Sequence, residues 1–252
     1  MSLTVSSLPR GYWRTVRSPR YSVSFAIPLL ATYEVLAFLL SRLEVAGVRN
    51  GADVLLKSLF LALGGRYGLA LFGGVLVGAG ALLVWQDVRR SGRVQPRYFL
   101  FMAGESIAYA LVFGLVAATL TRLLLPLMMM IGVLAGGTLS SLTLPTQLMI
   151  SLGAGIYEEL LFRVLLVSGL SWLAVKVFGW RGAKASYFAV VASALIFAAF
   201  HYVGPYGEPL ALASFTFRTV AGLLFSGLYL LRGFGITAWT HALYDVFLAV
   251  SG

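Results

Sequence analysis

The stretch from Gln147 to Val175, QLMISLGAGIYEELLFRVLLVSGLSWLAV, decides the fold. It is longer than the roughly 20 residues a helix needs to cross a hydrocarbon core, yet its middle carries Glu158, Glu159 and Arg163. Nothing around these three offers bulk water, so they must face a protein interior or a wet cavity. On a helix Glu159 and Arg163 are four apart and can pair directly. Glu158 is rotated by about 100° and is left available for something else. Two adjacent carboxylates beside one cation also suit a division of labour, one kept as a counter-ion and the other free to act as a general base.

The rest of the chain reads the same way. Of 252 residues, 60% are hydrophobic and only 11% charged, a balance foreign to a soluble domain of this size. Apolar runs suggest spans at about Ser22 to Leu40, Tyr67 to Trp85, Tyr98 to Leu120, Gln147 to Val175, Ser186 to Phe200, Ser214 to Leu231 and Ile236 to Val250. The short alternating segments of an outer-membrane barrel are absent from the sequence. The expected fold is therefore all-α: a polytopic transmembrane helix bundle of about seven or eight spans, with catalytic residues on the later helices. It is read as one integral-membrane domain over 1–252, whose motif-bearing half covers about 147–252. One further piece, Leu123 to Ala135, is broken by Pro126 and too short to cross alone, so it reads as interfacial, re-entrant or part of an eighth span. The apolar patch Val54 to Leu63 reads as a segment lying along the membrane surface.

The formal charge of +10 does not point to nucleic acid. The basic residues sit in short loops (the N-terminus, Arg89 to Arg97, Lys176 to Lys184, Arg232), where they orient a membrane protein with its N-terminus in the cytoplasm. The first span follows a basic flank without a small-residue cleavage site and reads as uncleaved. The expected location is the cell (inner) membrane, multi-pass. With no cysteine in the sequence, thiolate nucleophiles and cysteine-ligated metals are excluded. Small residues at Gly74 and Gly78, and from Gly222 to Ser226, are spaced for close helix packing.

The spans carry Glu34, Glu105, Glu158, Glu159, Arg163, His201, His241 and Asp245, each charge costing about 2.5 to 3.5 kcal/mol at a bilayer centre. His201 closes the fifth span one turn beyond Phe197, near a membrane edge or cavity mouth. His241 and Asp245, four apart, share one face of the last helix. Glu158, His201, His241 and Asp245 thus come from three helices that a bundle can converge on one pocket.

These residues resemble a known family. Glu158-Glu159 with Arg163, Phe197 with His201, and His241 with Asp245 look like the successive motifs of the CAAX protease and bacteriocin-processing intramembrane proteases, in the same order and spacing. Phe217, Gly222 and Gly227 look like that family's glycine-bearing helix. The resemblance implies a glutamate-type endopeptidase acting within the membrane on a membrane-associated protein or peptide. Glu158 would activate water and His201 would help to hold it. His241 and Asp245 would stabilise the oxyanion, worth about 3 to 4 kcal/mol for one good donor. Glu159, Arg163 and Phe197 would orient the site. Asp245 departs from the asparagine of the eukaryotic members: an ionised aspartate cannot donate to an oxyanion, so it must be protonated or act by orienting His241. Glu34 and Glu105 are expected to face the cavity.

No cofactor is expected, although two histidines, a glutamate and an aspartate can hold Zn²⁺ with an open position. The His-Glu-x-x-His pairing of site-2-type metalloproteases is missing, and presenilin-like chemistry lacks its second intramembrane aspartate. A serine protease would need Ser193 or Ser226 beside a histidine. A transporter relaying protons through Glu34, Glu105 and Glu158, or a non-enzymatic immunity protein, are the alternatives from other classes.

Overall fold

A computed structural model describes residues 11–43, 49–125, 142–204 and 207–251. The elements, in chain order, are α1 (Tyr12–Thr15), α2 (Pro19–Leu43), α3 (Gly51–Gly64), α4 (Gly68–Ser91), α5 (Arg97–Leu124), α6 (Leu144–Phe178), α7 (Ala183–Phe200), α8 (Leu212–Arg232) and α9 (Phe234–Ser251). The seven expected spans correspond to α2, α4, α5, α6, α7, α8 and α9, each displaced by a few residues at its ends. Most of Leu123 to Ala135 falls on residues 126–141, outside the described residues; Leu123 and Leu124 close α5.

Every expected span except the last is long and apolar enough to cross a membrane. α9 has the same length as α7 but carries His241 and Asp245. It can be more polar because it lies inside the bundle, packed against α2, α5, α6 and α8, so protein rather than lipid receives its polar face. Gly155 makes the close approach of α6 to α9 possible: a Cβ there would strike the Ala238 carbonyl and the Ala242 side chain.

Long-range contacts set the helix directions. Ser22 and Phe25 of α2 meet Gly235 and Trp239 of α9, and Ser106 and Phe113 of α5 meet Ile236 and Tyr244, so α2, α5 and α9 run parallel. α8 runs against α5, with Phe225 on Phe113 and Arg232 on Glu105. α7 runs against α8, with Ala194 at Gly222 and Tyr202 at Arg218. Arg20, the Arg89–Arg97 loop, the Lys176–Lys184 loop and Arg232 consequently gather at one end of the bundle. Arg232 is locked there between Glu105, at 2.6 Å, and the Trp13 ring and carbonyl.

α3 departs from expectation. It does not merely lie on the surface: Asn50, Asp53 and Leu56 are buried while Leu59 and Leu63 are exposed. The helix presents its polar face to the protein and its apolar face outward, the reverse of a soluble helix, as a lipid-facing position demands. It folds back on α4 through a tight turn at Gly65–Tyr67, where Phe60 meets Phe72 edge-on at 5.3 Å. Gly74 and Gly78 differ as well, since a Cβ at either would meet nothing within 4 Å, whereas one at Gly222 would press on Ala194 at 3.1 Å. Among the described residues, only the second small-residue spacing is a packing device.

Candidate active site

The Glu158 segment is helical but not with α-helical pitch. Ala154–Glu158 and Leu160–Val167 widen into π-helical turns, a distortion that commonly accompanies functional positions because it re-aims side chains. Glu158 is 7% exposed, Glu159 0% and Arg163 1%. Nε of Arg163 stands 3.1 Å from Oε2 of Glu159, the pair expected from the four-residue spacing. The guanidinium lies over the Phe197 ring at 4.4 Å and over Phe225 at 5.4 Å, so aromatic faces complete the cation's surroundings where water cannot.

The other carboxylate oxygen of Glu159 is within 2.7 Å of Nδ1 of His241. An ionised carboxylate only accepts, so Nδ1 carries the proton and Nε2 is the nitrogen left for the pocket. The His241 ring is stacked on Phe225 at 4.2 Å, which in turn stacks on Phe113 at 4.0 Å. Asp245 reaches Nε2 of His241 only at 3.5 Å, the distance of a charge neighbour rather than of a short hydrogen bond.

His201 follows the last turn of α7. Its Nδ1 lies 2.8 Å from the Phe197 carbonyl; the carbonyl can only accept, so Nδ1–H donates and Nε2 presents a lone pair when the ring is neutral. The Phe197 ring touches His201 at 4.8 Å and His241 at 6.3 Å. Both imidazoles are within electrostatic reach of Glu158. Glu158, His201, His241 and Asp245 are thus brought together from α6, α7 and α9, with Glu159, Arg163 and Phe197 behind them.

Sequence reading missed Asn50. Its Nδ2 donates to Oε1 of Glu158 at 2.8 Å across 108 positions of sequence, and its Oδ1 caps α3 by accepting from the Ala52 amide at 2.9 Å. Asn50-Gly51-Ala52-Asp53 does look like a helix start, but no local signal names the distant partner. Oε2 of Glu158, also buried, has no protein partner. Arg218 and Glu208 were missed too. Arg218 holds Glu208 in a fork with both distances at 2.7 Å, and the Glu208 amide donates to the His201 carbonyl at 3.0 Å. The Arg218 hydrogen bond holds the Glu208 carboxyl below the usual carboxylate range. Together these bonds tie the loop after α7 to α8 beside the pocket.

Two expectations are corrected. Glu105 is not in the pocket but bound to Arg232 at the basic end of the bundle, where an arginine fork satisfies it. Glu34 faces neither histidine: it joins Lys57, Arg49 and the Tyr157 hydroxyl in a cluster between α2 and α3, because α3 supplies the nearest cations. The serine alternative also loses its footing, since Ser193 donates to the Phe162 carbonyl and Ser226 to that of Gly222. Among the described residues, no three His, Asp or Glu side chains form a group that could hold a metal ion. A surface groove of about 400 Å³ between α6, α7 and α8, lined by Ser168, Trp172, Ser186 and Tyr229, contains none of the pocket residues.

The bundle of membrane-spanning helices thus sets Glu158, His201, His241 and Asp245 within electrostatic reach of one another. Residues 140–247 match the family model described as Type II CAAX prenyl endopeptidase Rce1-like. Over that stretch the chain is similar to the CAAX protease and bacteriocin-processing family of membrane proteases, and the match supports that family. No curated protein and no solved structure shows significant similarity to the chain.

Proposed function

We propose that the chain is an intramembrane endopeptidase that cleaves a peptide bond near the C-terminal or membrane-proximal end of a membrane-associated protein or peptide, using water activated by Glu158 and His201. The observation that carries this reading is the asymmetry of Glu158, with one oxygen held by Asn50 and the other buried without a protein partner. A water held between that free Oε2 and Nε2 of His201 has two acceptors for its protons and its lone pair directed at a substrate carbonyl. Its oxygen bonds to the carbonyl carbon, one proton passes to Glu158, and the C–N bond breaks as Glu158 returns that proton to the leaving amine.

The carbonyl oxygen becomes an oxyanion and needs a donor. His241 supplies one through Nε2–H when its ring is doubly protonated, with Nδ1–H kept on Glu159. Asp245, at 3.5 Å from Nε2, then acts as a counter-charge to the imidazolium, which fits an ionised aspartate better than direct donation. Arg163 stands 3.1 Å from one oxygen of Glu159 and so helps to fix the carboxylate whose other oxygen holds the His241 ring. The reading uses no metal.

The test is cleavage of a panel of fluorogenic C-terminal tail peptides, prenylated and unprenylated, by the purified full chain with and without a strong chelator. Retained cleavage under chelation, lost in Glu158→Gln and His201→Ala variants that still fold, is the expected result. Cleavage abolished by chelation and restored by zinc overturns the metal-free step. We further place the basic end of the bundle at the cytoplasm. The sequence has no cysteine, so single-cysteine labelling of an Arg181→Cys variant in intact cells is unambiguous: protection from an impermeant reagent is expected, and labelling reverses the orientation.

A further inference from the structure

We propose that Asn50 is a positioning residue for hydrolysis: its side-chain amide clamps Oε1 of Glu158 so that Oε2 alone is presented to the attacking water. This deepens the reading of Glu158 as the base and rests on it. Asn50 lies outside the residues matched by the family model, 140–247, and caps α3, whose stretch Val54 to Leu63 reads in the sequence as a segment along the membrane surface.

The amide's orientation is chemically forced. A backbone N–H must meet an oxygen and a carboxylate must meet a donor, so the Ala52 amide at 2.9 Å selects Oδ1 and Glu158 at 2.8 Å selects Nδ2. The helix cap and the clamp are thus two ends of one rigid group, and locking one locks the other. α3 is itself anchored. Asp53, one turn on, accepts from the Tyr33 hydroxyl at 2.7 Å and pairs with Arg49 at 3.1 Å and Lys57 at 2.7 Å. Lys57 also reaches Glu34 at 2.8 Å, and Tyr33 packs edge-on against Tyr157, the neighbour of Glu158, at 5.3 Å. Gly153 gives the clamp its room, since a Cβ there would press on the Asn50 Cβ at 2.7 Å and on the Tyr33 ring.

The choice of a neutral donor also has a chemical reason. A lysine or arginine at this point would neutralise the carboxylate and weaken it as a base, whereas an amide fixes its geometry without adding charge. The titratable and charged groups facing Glu158 are His201 from α7, His241 and Asp245 from α9, and, on α6 itself, Arg163 with the adjacent Glu159. From α3 the facing group is the uncharged amide.

Asn50→Asp and Asn50→Ser separate the clamp from the cap. Both residues still accept from the Ala52 amide and start the helix, but aspartate has no donor for Glu158 and serine is too short to reach it. On the best-cleaved peptide of the panel, kcat is expected to fall on the order of 10- to 100-fold in both, with KM changed less than about twofold and the thermal midpoint close to that of the parent. In Asn50→Asp the acidic limb of the pH–kcat profile should also move toward alkaline pH, because a second carboxylate then faces the first. Infrared difference spectra against Glu158→Gln give a readout independent of turnover: the Glu158 carboxylate stretch should shift in both Asn50 variants.

Parental kcat, pH profile and carboxylate band in Asn50→Asp and Asn50→Ser, beside an inactive Glu158→Gln, would refute the clamp and leave the hydrolytic reading intact. Losses of activity that merely track losses of thermal midpoint reduce Asn50 to a helix cap. A Glu158→Gln variant that still cleaves removes the base itself, and the clamp with it.

Discussion

Two charge clusters, one partly buried and one buried, lie near each other in this molecule and are wired differently. Between α2 and α3, Glu34 and Asp53 face Arg49 and Lys57, two acids against two permanent bases, with the Tyr33 and Tyr157 hydroxyls filling further acceptor sites. In the pocket, Glu158, Glu159 and Asp245 face one permanent cation, Arg163, and the balance depends on two imidazoles that can gain or lose a proton. The first cluster sets each acid within 3.4 Å of a cation, an arrangement suited to holding helices together. The second has three acids against one permanent cation, so neutrality takes two protons shared among His201, His241 and the carboxylates, and one oxygen of Glu158 has no protein partner. Proton-transfer chemistry needs the second kind of wiring, and a rigid frame needs the first.

The comparison breaks if activity and stability do not separate between the clusters. The largest expected effect is that of Glu158→Gln, about 10²- to 10⁴-fold in kcat with the thermal midpoint in detergent nearly unchanged. Enzyme assays beside thermal unfolding check it, and residual turnover near the parent's would end the assignment. Next is Arg163→Ala, which leaves Glu159 buried without its cation and should cost about 3 to 5 kcal/mol of stability, read as a lowered unfolding midpoint. Activity should fall as well, because His241 loses its fixed partner.

In the frame cluster, Asp53→Asn removes the acceptor shared by Tyr33, Arg49 and Lys57 and should cost about 1 to 3 kcal/mol. Unlike Glu158→Gln, it should lower the thermal midpoint, and its loss of kcat should not exceed that of Asn50→Ser. The smallest effect is at the loop beside the pocket. Glu208 has a carboxyl held below its unfolded value by Arg218, so its contribution is fully present above the ordinary carboxylate range and is lost as pH falls through the lowered value. The pair is only partly buried, which limits it to less than about 1 kcal/mol. Glu208→Gln should remove that small pH-dependent increment while leaving stability at pH 7 within the same bound, as unfolding curves at neutral and acidic pH will show.

What the sequence legibly carried was local. Helix spans follow from apolar length, which is a property of consecutive residues: all seven expected stretches are helical within a few positions, and six of these helices are long and apolar enough to cross a membrane. The Glu159–Arg163 pair and the shared face of His241 and Asp245 follow from helical spacing, and the motif order pointed to the family. The gathering of basic loops at one end also follows from the count of spans.

The tertiary structure decided what no period in the sequence encodes. Asn50 meets Glu158, Glu159 meets His241, and Arg232 takes Glu105 out of the pocket, each across a long stretch of chain and from a different helix. The π-helical widening around Glu158 and the inside-out burial of α3 likewise depend on neighbours. The physical reason is that in a lipid-facing chain apolar length fixes where a helix crosses, whereas a buried polar atom takes whichever partner the packing brings within 3 Å, and only the assembled bundle makes that choice.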